Sequence, residues 1–145
     1  MRGVGARVGV GVVTAALFLA TPAIAGSRSY SGKVDPGGTV SFTGKTHGHR
    51  VVKVKNFVFK DVPASCNEPG PYLADISNNP LPRMPVNALH RFHGRFKIPG
   101  TNDRVRVRGA FRHHGRRAHG RLRLTGDYSG ATNCDTGVRR WKAHR

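Results

Sequence analysis

Three consecutive stretches of the chain carry cations at alternate positions. Arg91, His93, Arg95 and Lys97 alternate with Phe92, Gly94, Phe96 and Ile98. Arg104, Arg106, Arg108 and Arg112 share a phase, and Val105, Val107, Gly109 and Phe111 occupy the other. Arg117, His119, Arg121 and Arg123 alternate with Ala118, Gly120, Leu122 and Leu124. A period of two sends the two sets to opposite faces of a strand. The guanidinium group stays charged and presents a fork of donors that pairs bidentately with phosphate, sulfate or carboxylate. The chemistry open to such a face is recognition of anions.

The connections between these stretches set how they pair. Pro99-Gly100-Thr101-Asn102 and His113-His114-Gly115-Arg116 are both four residues long, and loop length fixes hairpin register. Pairing Ile98 with Asp103 sets Phe96 against Val105 and Phe92 against Gly109. Pairing Arg112 with Arg117 sets Phe111 against Ala118, Val107 against Leu122 and Val105 against Leu124. Both registers keep one apolar face whole, which predicts an antiparallel meander. Its other face then carries the rows Arg95–Arg106–Arg123 and His93–Arg108–Arg121. Lys97 lies beside Arg104 at one edge, Arg112 faces Arg117 at the turn, and Arg91 belongs to the rim. Like charges directly opposite one another destabilise a sheet by up to about 1 kcal/mol per pair. No acid is expected within these rows, whereas a face serving solubility alone would mix both signs. The competing explanation is compositional, since arginine supplies 18 of the 25 Lys and Arg residues. Arg139, Arg140 and Arg145 are expected away from this face.

Other chemistries find less support. The eight histidines raise the question of a metal. His47 and His49 would share a face if Thr46–Arg50 were extended, and His113 and His114 share a turn. A zinc site needs three or four convergent ligands, and the surrounding positive charge disfavours a dication, so neither metal nor cofactor is expected. The acids are Asp35, Asp61, Glu68, Asp75, Asp103, Asp127 and Asp135, with no paired spacing that suggests a two-carboxylate hydrolase. G-x-S-x-G, H-E-x-x-H and phosphate-cradling glycine loops are absent. A small secreted nuclease would need a His–Glu or His–His pair beside arginines, for which Glu68 with His90 or His93 is the candidate.

Length and composition bound the elements that must hold these residues. With 145 residues the chain has room for one core. Met1 to Ala25 reads as a secretory signal peptide. Arg2 and Arg7 precede an apolar run from Val8 to Ala20, and Ala23-Ile24-Ala25 is an A-x-A cleavage site. The run is too short to span a bilayer, and no later segment could. The expected domain is 26–145, and removing the two leading arginines takes the net charge from +18 to +16. In an oxidising compartment Cys66 and Cys134 are expected to form a disulfide.

Glycine and proline punctuate the mature chain, and period-two alternation recurs. Strands are expected near Tyr30–Val34, Thr39–Thr43, Arg50–Phe59, Leu89–Ile98, Arg104–Arg112, Arg117–Thr125 and Val138–Ala143. This pattern predicts an all-β domain, a small antiparallel β-sandwich or barrel of about seven to eight strands. Within Arg50–Phe59 the apolar phase moves from Val52 and Val54 to Phe57 and Phe59, which predicts a bulge near Lys55-Asn56. Pro63 to Pro85 reads as a long connection held at Cys66 and packed by Tyr72, Leu73, Ile76, Leu81 and Met84. Gly94, Gly109 and Gly120 fall on the apolar face, where Phe57 and Trp141 are expected to fill the space.

Gly94-Arg95-Phe96, Gly120-Arg121-Leu122-Arg123 and Cys134-Asp135-Thr136-Gly137 leading to Arg139, Trp141 and Ala143 give the chain from Gly32 to Ala143 its look. It resembles small secreted all-β proteins of high-GC bacteria, a likeness that implies the fold and no activity or site residues. The function expected from the residues is that of a secreted, monomeric, non-enzymatic protein that binds an anionic polymer or the cell-envelope surface. Arg95, Arg106, Arg108, Arg121 and Arg123 would form the site, with Arg91, Lys97, Arg104 and His93 as its rim. Sequence-specific reading of nucleic acid is not expected. The alternatives are an envelope-associated structural or interaction module using the loop 63–85, and a small secreted hydrolase such as a nuclease.

Overall fold

A computed structural model describes residues 24–128 and 130–145. Apart from Ile24 and Ala25, the segment read as a signal peptide lies outside the described residues. The order is β1 (Ala25–Asp35), β2 (Thr39–His47), β3 (Arg50–Lys60), β4 (Val62–Ala64), β5 (Tyr72–Ala74), β6 (Met84–Pro85), β7 (Arg91–Lys97), β8 (Arg104–Arg112), β9 (Arg117–Tyr128), β10 (Ala131–Asp135) and β11 (Arg139–His144). All seven expected strands are present, and the described residues contain no helix.

The main sheet runs β6-β3-β2-β1-β11-β9-β8-β7, with β10 added to the end of β9. It curls into a nearly closed antiparallel barrel. The two ends of this order, β6 and β7, are not paired with each other. Pro82 and Pro85 lack the N–H groups that a ladder there would need. The sulfur of Met84 packs at the seam, beside Gly94 of β7.

The interior is aromatic. Tyr30, Phe42, Phe57, Phe92, Phe111 and Trp141 are all buried. Tyr30 stacks on Phe42 with centroids 4.9 Å apart, and Phe57 meets Trp141 edge to face at 5.6 Å. Such pairs add about 0.5–1.5 kcal/mol each beyond the area they bury. The inward glycines are the sockets for these rings. A Cβ on Gly109 would lie 2.5 Å from Cζ of Phe92 and 2.7 Å from Cζ2 of Trp141. One on Gly120 would lie 2.6 Å from that same Trp141 atom. The expected filling of the glycine-lined face is therefore supplied by Trp141 and Phe92, with Phe57 behind.

Details of the edges differ from the sequence expectation. The bulge near Asn56 is present, with φ of 52° at that residue. A second register shift falls opposite Lys45 and Thr46. It turns Val51 inward and leaves Val52 exposed, reversing the expected phase at the start of β3. Leu89 is exposed and precedes β7, because the side-chain oxygen of Asn87 accepts the N–H groups of Leu89 and Arg91 at 3.0 Å. That turn closes before the strand begins. Val138 is likewise exposed outside β11.

The proline-rich connection packs as expected through Ile76, Leu81 and Met84, while Leu73 is exposed. Its opening is clamped to β10. Cys66 is bonded to Cys134, and Ser65 pairs with Asp135. The Glu68 carboxylate accepts the Thr132 N–H at 2.8 Å and its hydroxyl at 2.9 Å.

Candidate functional site

The meander has the register read from its turns. Phe96 faces Val105, and Phe92 faces Gly109. Phe111 faces Ala118, and Val107 faces Leu122. The outward rows follow from the same ladders: Arg95–Arg106–Arg123, His93–Arg108–Arg121, Lys97–Arg104 and Arg112–Arg117. Each of these side chains leaves the barrel because its neighbours in sequence are needed inside it.

A fourth strand enlarges the face. β11 pairs with β9 and places Arg140 against Arg121 and Lys142 against His119. One row therefore runs His93–Arg108–Arg121–Arg140 across four strands. The expectation that Arg140 lies off the face is corrected by this pairing. β11 is joined to β9 through β10 and a further turn, so no short hairpin exposes its register in the sequence. Arg139 has the opposite phase and pairs with Leu122. Its Nη2 donates to the Pro63 carbonyl at 3.3 Å. Arg145 lies beyond β11, its N–H bonded to the Arg116 carbonyl.

Between the rows lies an open groove of about 990 Å³. Arg91, His93, Arg95, Arg106, Arg108, His119, Arg121, Arg123, Arg140 and Lys142 line it. Ala110 stands between Arg91 and His119 in the ladder, and its short side chain lowers the floor there. Lys97 and Arg104 are on the same face, beyond the groove.

Two acids reach this surface, against expectation: Asp35 of β1 stands opposite Arg140 at the end of the longest row, and Asp135 lies beside Arg123. Asp135 of β10 forms a two-point pair with Arg123, in which Arg123 Nε donates to Oδ1 at 2.9 Å and Nη2 donates to Oδ2. It is the one ion pair among the described residues. Hydrogen bonds from Arg123 hold the Asp135 carboxyl below the ordinary carboxylate range against the opposing effect of partial burial. The Gly137 N–H and the charge of Arg139 pull the same way. The pairing of β10 with β9 brings Asp135 beside Arg123, although they are 12 positions apart. Arg123 is thus partly neutralised, while the other expected site residues keep no carboxylate partner.

The residue sets named for a nuclease or a metal are not brought together among the described residues. Glu68 is engaged by Thr132. His90 is at the opposite end of the strands, His93 is on the outer rows, and neither is brought to Glu68. His47 ends β2 and His49 follows Gly48, whose φ is 59°, so the two do not share an extended face. Among the described residues no three His, Cys, Asp or Glu side chains converge as metal ligands. No family model matches the chain, and neither does any curated protein or solved structure.

Proposed function

We propose that the protein is a secreted, non-enzymatic binder of anionic polymers, acting outside the cell or at its envelope through the groove on β7, β8, β9 and β11. The observation that carries this reading is the partition of arginine and lysine between the barrel walls. The four strands of the groove hold eleven arginines and two lysines, while β1, β2 and β3 hold two arginines and five lysines. A compositional drift toward arginine would act on both walls alike. Arginine is the residue suited to bidentate pairing with phosphate, sulfate or carboxylate, and lysine is a compact point charge. Arg106, Arg108, Arg121 and Arg140 would carry the contacts, with His93, Arg91 and Arg95 at the margin. Polymer binding then offsets the like-charge repulsion within the rows.

The test is retention on immobilised heparin in a salt gradient. Arg106→Glu/Arg108→Glu should elute much earlier, with the slope of log affinity against log salt reduced by about 2 or more. Lys45→Glu/Lys60→Glu makes the same change in net charge on the other wall and should move elution far less. Equal losses for the two variants would reduce the interaction to net charge and overturn the reading.

A further inference from the structure

The strands run between two ends of unlike chemistry. At one end three turns crown the barrel: His47–Arg50 between β2 and β3, Asn87–His90 before β7, and His113–Arg116 between β8 and β9. Arg28 Nη1 lies 3.5 Å from the carbonyls of both His49 and His114. Arg50 Nη2 donates to the Asn87 carbonyl at 2.8 Å. The Tyr30 hydroxyl donates to the Gly115 carbonyl. These groups hold the three turns as one surface.

No aspartate or glutamate side chain lies at this end, and the one carboxylate near it is the α-carboxylate of Arg145. Asp35 closes β1, Asp61 follows β3, Asp103 precedes β8, and Asp127 is in the last turnward residues of β9. Asp135 and Glu68 belong to the β10 clamp. Asp75 precedes Ile76, whose N–H is bonded to the Phe59 carbonyl near the end of β3. All seven acids therefore lie at or near the opposite end. Six of the eight histidines, His47, His49, His90, His113, His114 and His144, are exposed at the end without acidic side chains. The charged groups facing them are Arg28 from β1, Arg50 from β3 and Arg91 from β7. Arg112, Arg116 and Arg117 come from the β8–β9 hairpin, and Arg145 follows β11.

The chain also enters the barrel here. The Ile24 carbonyl accepts the Gly48 N–H at 3.3 Å. In the precursor, before cleavage after Ala25, the apolar stretch of sequence at 8–20 is joined to this end through only a few residues, so a membrane that engages that leader meets this surface first. We propose that the histidine-rich end is an interaction surface for anionic lipid headgroups and binds them more tightly as pH falls. Histidine is the side chain whose charge changes between about pH 5 and 8, and each added cation near an anionic bilayer strengthens attraction several-fold. With no acidic side chain present to compensate, protonation adds to a surface that the arginines keep positive despite the α-carboxylate of Arg145.

The experiment is co-sedimentation of the protein with vesicles of phosphatidylcholine and phosphatidylglycerol in equal parts, at about pH 8 and about pH 5. The expected result is a rise in vesicle affinity of about ten-fold or more at the lower pH, and none with phosphatidylcholine alone. His47→Gln/His49→Gln/His113→Asn/His114→Asn should remove most of that rise while leaving circular dichroism unchanged. Asparagine is used at 113 and 114 because their φ values are 50° and 54°, a region it tolerates. Arg106→Glu/Arg108→Glu should keep the rise, so a failure of the groove reading on heparin is separate from a failure here. Affinity independent of pH, or a rise that survives the four histidine substitutions, would overturn the proposal. An equal rise on soluble heparin, abolished by the same substitutions, would overturn the assignment to lipid.

Discussion

The outer surfaces of the two barrel walls differ most between β1–β2 and the groove strands, although Lys45 stands against Lys53 across β2 and β3. Across β1 and β2 the outward pairs are Ser29 with Thr43, Ser31 with Ser41 and Lys33 with Thr39. Hydroxyl pairs of this kind stabilise adjacent strands, whereas like charges in the same positions destabilise them. Across β7, β8, β9 and β11 many equivalent positions are filled by arginine against arginine, and others by arginine or lysine against histidine or by lysine against arginine. Both walls send aromatic rings into one interior, as Tyr30 and Phe42 do from the first and Phe92, Phe111 and Trp141 from the second. The backbone therefore does not require arginine on its outer face. The contrast supports the proposed role of the groove as a binder of anions.

The largest expected effect tests the clamp that brings Asp135 to the basic wall. Cys66→Ser/Cys134→Ser opens a loop of 68 positions, at a cost of about 4 kcal/mol by chain entropy. Thermal unfolding should fall accordingly, and the folded fraction should still be retained on heparin. An unchanged midpoint would mean that the Glu68–Thr132 bonds hold the clamp by themselves. Next comes the interior that the walls share. Gly109→Val drives a side chain into Phe92 and Trp141 and should cost about 1–3 kcal/mol in denaturant unfolding. Ser31→Val, outward on the hydroxyl wall, should stay within about 0.5 kcal/mol of the parent.

A third variant makes the basic wall resemble the other. Arg106→Thr/Arg108→Thr relieves like-charge pairs and should raise stability by about 1 kcal/mol, while heparin retention weakens. Loss of stability would show that the arginines contribute to the fold after all. The smallest effect belongs to Asp135→Asn, which frees Arg123 and should lengthen heparin retention slightly. The Asp135 carboxyl is held below its ordinary value by Arg123. Its contribution to stability is therefore full above the unfolded carboxylate pKa of about 3.9. It is lost as pH falls through the lower folded value. Acid titration of the parent should show that loss, and the asparagine variant should lack it.

The three-strand register was legible because each link is a four-residue turn and every apolar residue had to stay on one face. Val107 could oppose Leu122 in no other arrangement that kept Phe111 and Val105 inside. The start of β3 was not legible in the same way. Val51 and Val52 are adjacent valines, and the second bulge that selects Val51 is set by pairing with β2. Asp135 was visible as an acid near the C-terminus, but its contact with Arg123 depends on β10, whose sequence ATNCD has little alternation. The clustering of histidines at one end was hidden too, since their positions are scattered from 47 to 144 and only strand direction gathers them.

Alternation, turn length and the two cysteines were enough to determine an all-β chain, its disulfide and the cationic face of one meander. These are local or pairwise properties, decided by side-chain period and short loops. Tertiary structure decided the closure into a barrel, the addition of Arg140 and Lys142 to the face, the partial neutralisation of Arg123, and the separation of acids from histidines. Each of those depends on which strands lie side by side after long connections. The packing of Trp141 against Gly109 and Gly120 selects that arrangement, and no local pattern along the chain records it.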